Sequence, residues 1–402
     1  MKVIPACLFS ATIIAVLSVT MCSNTGSTPK PGSSNTYQTP DSSSLKALQH
    51  HIDSLTGIIY EYDGLWVRAA RLQKTIDSNA NVLKDVMVKL AEARNFNLRS
   101  VYSGDTSRIA INKAMEELEI IFRKVIMLSG EKDSALARET RLVQEKNIIL
   151  QKISSREETM KKISDLMNSL AGKIEGRLDL LFAGKKFEVF IASAKKHEVI
   201  IHSNSRGPYT FSRFGEFIQK DFKTTPEMIT NGGMFTTGYD PQGLLISGGK
   251  IAAPIDSSVE KKDGNFYMYP NGVFSSDPQF GFQIQETSEF LKQYTDEKKM
   301  PMFATQSGPM LVHRGRIHPS FTPGSTNVYV RSGAGLMAKD RVVFIISDQV
   351  VNFYDIAMLY RYIFNCQEAL YLDGAISKMY FTTDKTMPEG QFGPMIAVVK
   401  KK

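Results

Sequence analysis

The sequence predicts an α+β protein: a long all-α, coiled-coil region followed by a C-terminal mixed-sheet domain with few helices. Three observations predict it. From Leu45 to about Phe182 no proline interrupts a helical apolar stripe. Near Gly184 the apolar period changes from about 3.6 to 2. Beyond that point strand-like runs outnumber helices and do not alternate with them regularly, which argues against a doubly wound sheet.

The first 22 residues read as a targeting segment. Lys2 supplies positive charge, an apolar stretch runs from Val3 to Met21, and Cys22 follows. A Ser/Thr/Pro/Gly/Asn-rich stretch, residues 23–44, then reads as a flexible linker. Cys22 stands where a bacterial lipoprotein is cleaved and acylated. Val19 and Thr20 suit that signal, whereas Met21 is larger than usual before the cysteine. An uncleaved anchor and a freely secreted protein are the alternatives. All three put the chain outside the cytoplasm, in the cell envelope or beyond it.

Residues 45–183 read as a helical coiled-coil stalk. Leu45, Leu48, Ile52, Leu55 and Ile59 recur at steps of three and four, as do Met160, Ile163, Met167, Leu170 and Ile174. Two stretches rich in Ser, Gly and Asp, Ser100–Thr106 and Ser129–Ser134, predict interruptions. A spacer or an oligomerisation stalk that forms a homo-oligomer through its helices is the expected role; a helical partner-binding module is the alternative. His50 and His51 are adjacent and point to different faces, which argues against a metal site.

Residues 184–402 read as one domain. Lys186–Ala192 and His197–His202 alternate. Strand-like runs follow at 243–247, 265–269, 302–305, 309–312, 328–331, 342–347, 369–372 and 395–399. Helices are expected around Phe214–Phe222 and Tyr354–Phe364. Cys366, the one cysteine beyond the signal region, ends the second helix and is expected to be buried. The mature chain then holds no internal disulfide.

Composition bounds the partners. The hydrophobic fraction is 42% and the formal net charge is +8. The Lys and Arg residues are dispersed, with no aromatic-interleaved basic motif, so no nucleic acid is expected. An anionic lipid surface or a phosphorylated glycan suits the charge better.

Four polar, glycine-rich segments at strand ends could carry chemistry. Asn231-Gly232-Gly233 could aim an amide and backbone N–H groups at an anion. Thr305-Gln306-Ser307-Gly308 is not a serine-hydrolase elbow, because Thr305 stands where a glycine is required. Arg331 after a short run suits planar recognition of phosphate or carboxylate. Asp373-Gly374 ends the apolar run Ala369–Leu372, delivering a carboxylate to a strand tip, with Ser377 close behind. Gly243–Lys250 lacks the spacing of a phosphate-binding loop, and His313 and His318 match no metal motif.

Together these segments resemble the phosphodiester glycosidase family, which includes the uncovering enzyme that removes N-acetylglucosamine from a phosphodiester. Asn231–Phe235, Gly243–Ile246, Asn271–Phe274, Gln306–Leu311, Arg331–Gly335 and Ala369–Gly374 stand in the family's order. The likeness covers about Lys185 to Lys400 and is strongest to the short bacterial YigE-like envelope proteins. It implies hydrolysis of a bond between a sugar anomeric carbon and a phosphodiester oxygen. It also implies catalytic roles for Asn231, Arg331 and Asp373, and a substrate site lined by Gly232, Gly233, Gln306, Ser307, Gly308, Gly374 and Ser377. The better-known enzymes read Asn-Ala-Gly-Phe-Phe and Asp-Gly-Gly-Gly-Ser-Ser where this chain has Asn231-Gly-Gly-Met-Phe235 and Asp373-Gly-Ala-Ile-Ser377. No cofactor is implied, and no motif points to a divalent cation.

The chemistry asks for an anion site, stabilisation of an oxocarbenium-like state, and an activated water or a nucleophile. Arg331 with the loop after Asn231 could hold the phosphate. Asp373 could be base, nucleophile or electrostatic stabiliser. Asp240 and Asp348 are candidate second carboxylates. The expectation is an envelope hydrolase of sugar-1-phosphodiesters; the alternative is a non-catalytic scaffold or glycan-binding protein that oligomerises through its helices.

Overall fold

The computed structural model describes residues 42–94, 108–258, 264–294, 300–338 and 340–401. The expected targeting segment, with Cys22, lies outside the described residues, as does the first predicted interruption, Ser100–Thr106. Among the described residues, no helix is long and apolar enough to cross a membrane.

Two long helices, α1 (Ser42–Arg94) and α2 (Arg108–Ala171), lie side by side. The second predicted interruption does not occur, because Ser129–Ser134 is helical within α2. Gly130 is exposed there with open space where a Cβ would stand, so it weakens the helix by only about 1 kcal/mol. Ala135 just beyond is buried, and its carbonyl accepts a hydrogen bond from Asn79 Nδ2 at 3.0 Å. Packing against α1 thus overrides the local turn preference.

Helix also ends sooner than expected, and the first strand occupies Gly176–Phe182. Leu178, Leu180 and Phe182 are buried while Asp179 and Leu181 are exposed, the period-2 pattern of a strand. Arg341 Nη1 donates to Gly172 O at 2.6 Å, placing a cation on the carbonyl end of α2.

Among the described residues all strand pairs are antiparallel. The largest sheet runs in the order β1 (Gly176–Phe182), β2 (Lys185–Ser193), β13 (Arg341–Ser347), β12 (Ser332–Ala338), β14 (Glu368–Asp373), β10 (Met310–His313), β11 (Arg316–Ile317). A second sheet holds β15 (Met379–Phe381), β4 (Pro226–Asn231), β16 (Met395–Lys400) and β3 (His197–His202). A third holds β6 (Lys250–Ala253), β5 (Leu245–Ser247), β9 (Phe303–Ser307), β7 (Gly272–Asp277) and β8 (Gly281–Glu286). Short helices α3 (Phe211–Phe222), α4 (Thr287–Gln293) and α5 (Phe353–Met358) complete the fold.

The large sheet is buried on both faces, so its central strands read as unbroken apolar runs. Along β13, Val343 and Ile345 join the core beneath the helices, while Val342, Phe344 and Ile346 join the core shared with the other two sheets. Leu48, Ile52 and Ile59 of α1 and Met160, Ile163 and Met167 of α2 pack onto the first of these faces. Residues Thr39–Lys402 accordingly group as one compact unit.

Polar contacts fix this docking. Gln49 of α1 exchanges two hydrogen bonds of 2.9 Å with the backbone of Leu181, pairing part of the edge of β1. The buried carboxylate of Asp63 on α1 accepts from Tyr354 on α5 and, at 2.6 Å, from Tyr362 on the π-helical turn that follows. Tyr60 donates to Asp355 Oδ1 at 3.0 Å.

Two predicted strands are corrected. Asn265–Tyr267 is a single 3-10 turn, and Val328–Arg331 contributes only the bridge between Tyr329 and Val351. Gly264, at φ 106°, turns the chain into the first stretch, and Val328 and Tyr329 of the second are exposed.

Candidate active site

The tips of β4, β9, β12 and β14 meet at one end of the sheets. Ser332 of β12 is the cross-strand partner of Asp373 of β14. Ser307 Oγ, at the end of β9, donates to Leu372 O at 2.7 Å. Asn231, the last residue of β4, is fully buried; its Oδ1 accepts from Lys378 N at 3.0 Å and its Nδ2 donates to Ser377 Oγ at 3.3 Å. Ser377 Oγ lies 2.9 Å from Ser332 Oγ. The amide and the hydroxyls clamp the Asp373–Ser377 turn to its neighbours.

Asp373 itself is half-buried. Its Oδ1 accepts from Gly374 N at 2.7 Å. Burial pushes its carboxyl up to about 6, partly offset by that N–H. Gly374 is required here by close approach, not by an unusual backbone angle: a Cβ would meet the Tyr371 hydroxyl at 2.5 Å. Tyr371, two residues before Asp373 on the same strand, leans to the same face. Burial and the Asp373 charge both raise its hydroxyl, while Arg331 lowers it.

Arg331, immediately before β12, is wholly buried. Nε donates to Val351 O at 2.9 Å, Nη2 to Asn327 O at 3.0 Å and Oδ1 at 2.9 Å, and Nη1 to the Tyr371 hydroxyl at 3.4 Å. Its guanidinium carbon sits 3.5 Å from the centre of the Phe353 ring. Among the described residues no carboxylate lies within ion-pairing distance of it. Burial lowers its pKa, yet an arginine stays charged. The result is a buried positive charge without an anionic partner, joined through Tyr371 to the Asp373 tip.

Residues 224–398 match the family model for phosphodiester glycosidases. Over that stretch the C-terminal domain is similar to the phosphodiester glycosidases. The uncharacterized protein YigE of Escherichia coli (strain K12) is 36% identical over 157 residues, which cover 38% of this chain and 58% of YigE. The catalytic domain of zebrafish N-acetylglucosamine-1-phosphodiester α-N-acetylglucosaminidase superposes with a TM-score of 0.40 at 13% identity, over 56% of this chain and 82% of that one. A hypothetical protein from Synechocystis gives 0.35 at 12% identity, over 56% of this chain and 61% of its own.

Within this domain the expected site residues divide by environment. Arg331 Nη1 donates to the Tyr371 hydroxyl, and Tyr371 stands two residues before Asp373 on β14. Gly232 and Gly233 do not offer free N–H groups: Gly232 N donates to Pro394 O at 2.8 Å and Gly233 N to Thr305 Oγ1 at 3.3 Å. A Cβ on Gly233 would meet Gln306 O at 2.4 Å, so this glycine serves close packing. Gly308 is similar, with Asn271 Cβ 2.7 Å from the position of a Cβ.

Gln306 is a structural clasp. Its Oε1 accepts from Leu244 N and Asp256 N, and its Nε2 donates to Asp256 O and Thr287 Oγ1. That exhausts the amide's hydrogen-bonding capacity. Asp240 and Asp348, the candidate second carboxylates, are exposed.

Sequence reasoning passed over Tyr371, Ser332 and Phe353. The signal for Tyr371 was its two-residue offset from Asp373, the strand period. It also passed over a group at the other end of β14. Ligand atoms of Glu286, Glu289 and His313 lie within 4.8 Å of one another, with His313 Nδ1 2.9 Å from Glu368 Oε2 and Arg314 Nη2 2.6 Å from Glu289. His318 is not part of it, since its Nε2 meets Tyr269 O at 2.8 Å.

Proposed function

We propose that this protein hydrolyses glycosyl phosphodiester bonds in the cell envelope, with Asp373 as its reacting carboxylate. The observation that carries the reading is the half-buried Asp373 carboxyl at the β14 tip of a phosphodiester glycosidase domain, next to the buried Arg331 charge. Water adds to the anomeric carbon, the bond from that carbon to the phosphate oxygen breaks, and a free sugar and a phosphomonoester leave. A phosphate is a good leaving group, so little protonation of it is needed. Asp373 acts either by taking the proton of the attacking water or by bonding the anomeric carbon first. Arg331 supplies positive potential from beneath the site, since its own N–H groups are largely engaged. The phosphorylated glycan would be held outside the membrane by a chain tethered through Cys22.

The test is release of sugar from a panel of glycosyl-1-phosphodiesters by purified protein. Asp373→Asn should fold, by circular dichroism, and release none. If wild type releases none either, yet binds the same glycans, the enzyme reading is overturned.

One observation favours a second reading, a non-catalytic glycan-binding scaffold. Asn231, Ser307, Gly232 and Gly233 all donate to protein partners, leaving fewer groups for a transition state. Under that reading Asp373→Asn retains glycan binding unchanged.

A further inference from the structure

The far end of α2 carries an apolar stripe that faces away from α1. Met115, Leu118, Phe122 and Ile126 succeed one another at steps of three, four and four, so they share one helix face. They are 65%, 37%, 66% and 58% exposed. The contacts with α1 run along another face, where Leu128 is buried against Val86 and Leu90. Soluble chains seldom leave four such side chains contiguous in water.

The charges beside the stripe say what covers it. Glu119 and Arg123 border it on the same flank and lie on opposite sides of its centre. Within one helix they form an exposed ion pair of 2.6 Å. We propose that two copies of this chain pair through this stripe, antiparallel about a two-fold axis that passes between Leu118 and Phe122. Reversal about that axis sets Leu118 of one copy against Phe122 of the other, and Met115 against Ile126. The same reversal sets Glu119 against Arg123, twice. A two-fold interface must be complementary to itself, and this face is so in both shape order and charge. The inference is independent of the chemistry of the glycosidase domain.

Sedimentation velocity of the full-length chain, from nanomolar to micromolar concentration, tests it. Wild type should sediment as a concentration-dependent dimer, and Phe122→Glu should weaken association by at least about tenfold. Glu119→Arg makes this pair wholly basic, and Arg123→Glu makes it wholly acidic. Each alone should associate more weakly than wild type. Their equimolar mixture should recover a dimer, because both cross-pairs are then opposite in charge. Circular dichroism checks that α2 stays helical in every variant. A monomeric wild type overturns the proposal, as does association indifferent to Phe122→Glu or a mixture no tighter than its components. Capture of a monomeric wild type by phosphatidylglycerol vesicles would assign the stripe to lipid instead.

Discussion

Asp373 has a folded-state carboxyl pushed up to about 6, against an ordinary value of 3.8. Between those values the folded chain binds more protons than the unfolded one, so stability falls as pH rises through this window. Asp373→Asn removes the buried charge. It should therefore be more stable than wild type at pH 8, by about 2 kcal/mol, and the advantage should vanish near pH 4. Urea unfolding at the two pH values measures both. If the ionised carboxylate is the working form, turnover should rise with pH through about 6, and a flat profile would exclude that role. Arg331 makes a different demand. Its planar fork meets Val351, Asn327 and Tyr371 at once, so Arg331→Lys leaves several of these groups unpaired. A loss of about 2–3 kcal/mol in thermal or urea unfolding is expected.

Among the elements, α5 has the greatest reach. Asn352 caps it, accepting from Asp355 N at 2.8 Å. Phe353 faces inward, stacked on Phe321 with ring centres 4.8 Å apart and lying edge to face with Tyr371. Phe353→Ala should destabilise by about 3–5 kcal/mol and lower turnover as well, since the guanidinium loses its platform. Loss of stability with turnover unchanged would sever that link. Asp63→Leu leaves the hydroxyls of buried Tyr354 and part-buried Tyr362 without their acceptor, and about 2–4 kcal/mol should be lost in urea unfolding. The sequence made some of this legible. The strand ending in Asp373 and the helix near Tyr354 could be read, because an apolar run with a polar stop is a local signal. The Asp63 contacts could not, because 291 residues separate it from Tyr354. Nor could the engaged state of Gly232, Gly233 and Gln306 be read. A glycine that permits close approach and one that frees an N–H look alike in sequence.

At the scale of the molecule, the change of period near Gly184 marked two regions correctly in kind. It did not show that one lies on the other. The stripe Leu48, Ile52, Ile59 was read as a stalk seam, yet it packs on a sheet, and both uses of a helix demand the same spacing. Deletion of residues 42–171 should accordingly leave the remaining domain insoluble or able to bind a hydrophobic dye, because Phe182, Phe187 and Val189 lose their cover. A soluble, cooperatively unfolding domain would show that the helices are dispensable to it.

Tyr354 and Phe353 are consecutive residues, and they face different masters. Tyr354 is held by the long arm through Asp63, and Phe353 holds the guanidinium under the β14 tip. One peptide link therefore joins the helix's hold on Tyr354 to the ring beneath Arg331, so a substitution that displaces Tyr354 should also disturb the platform under the guanidinium.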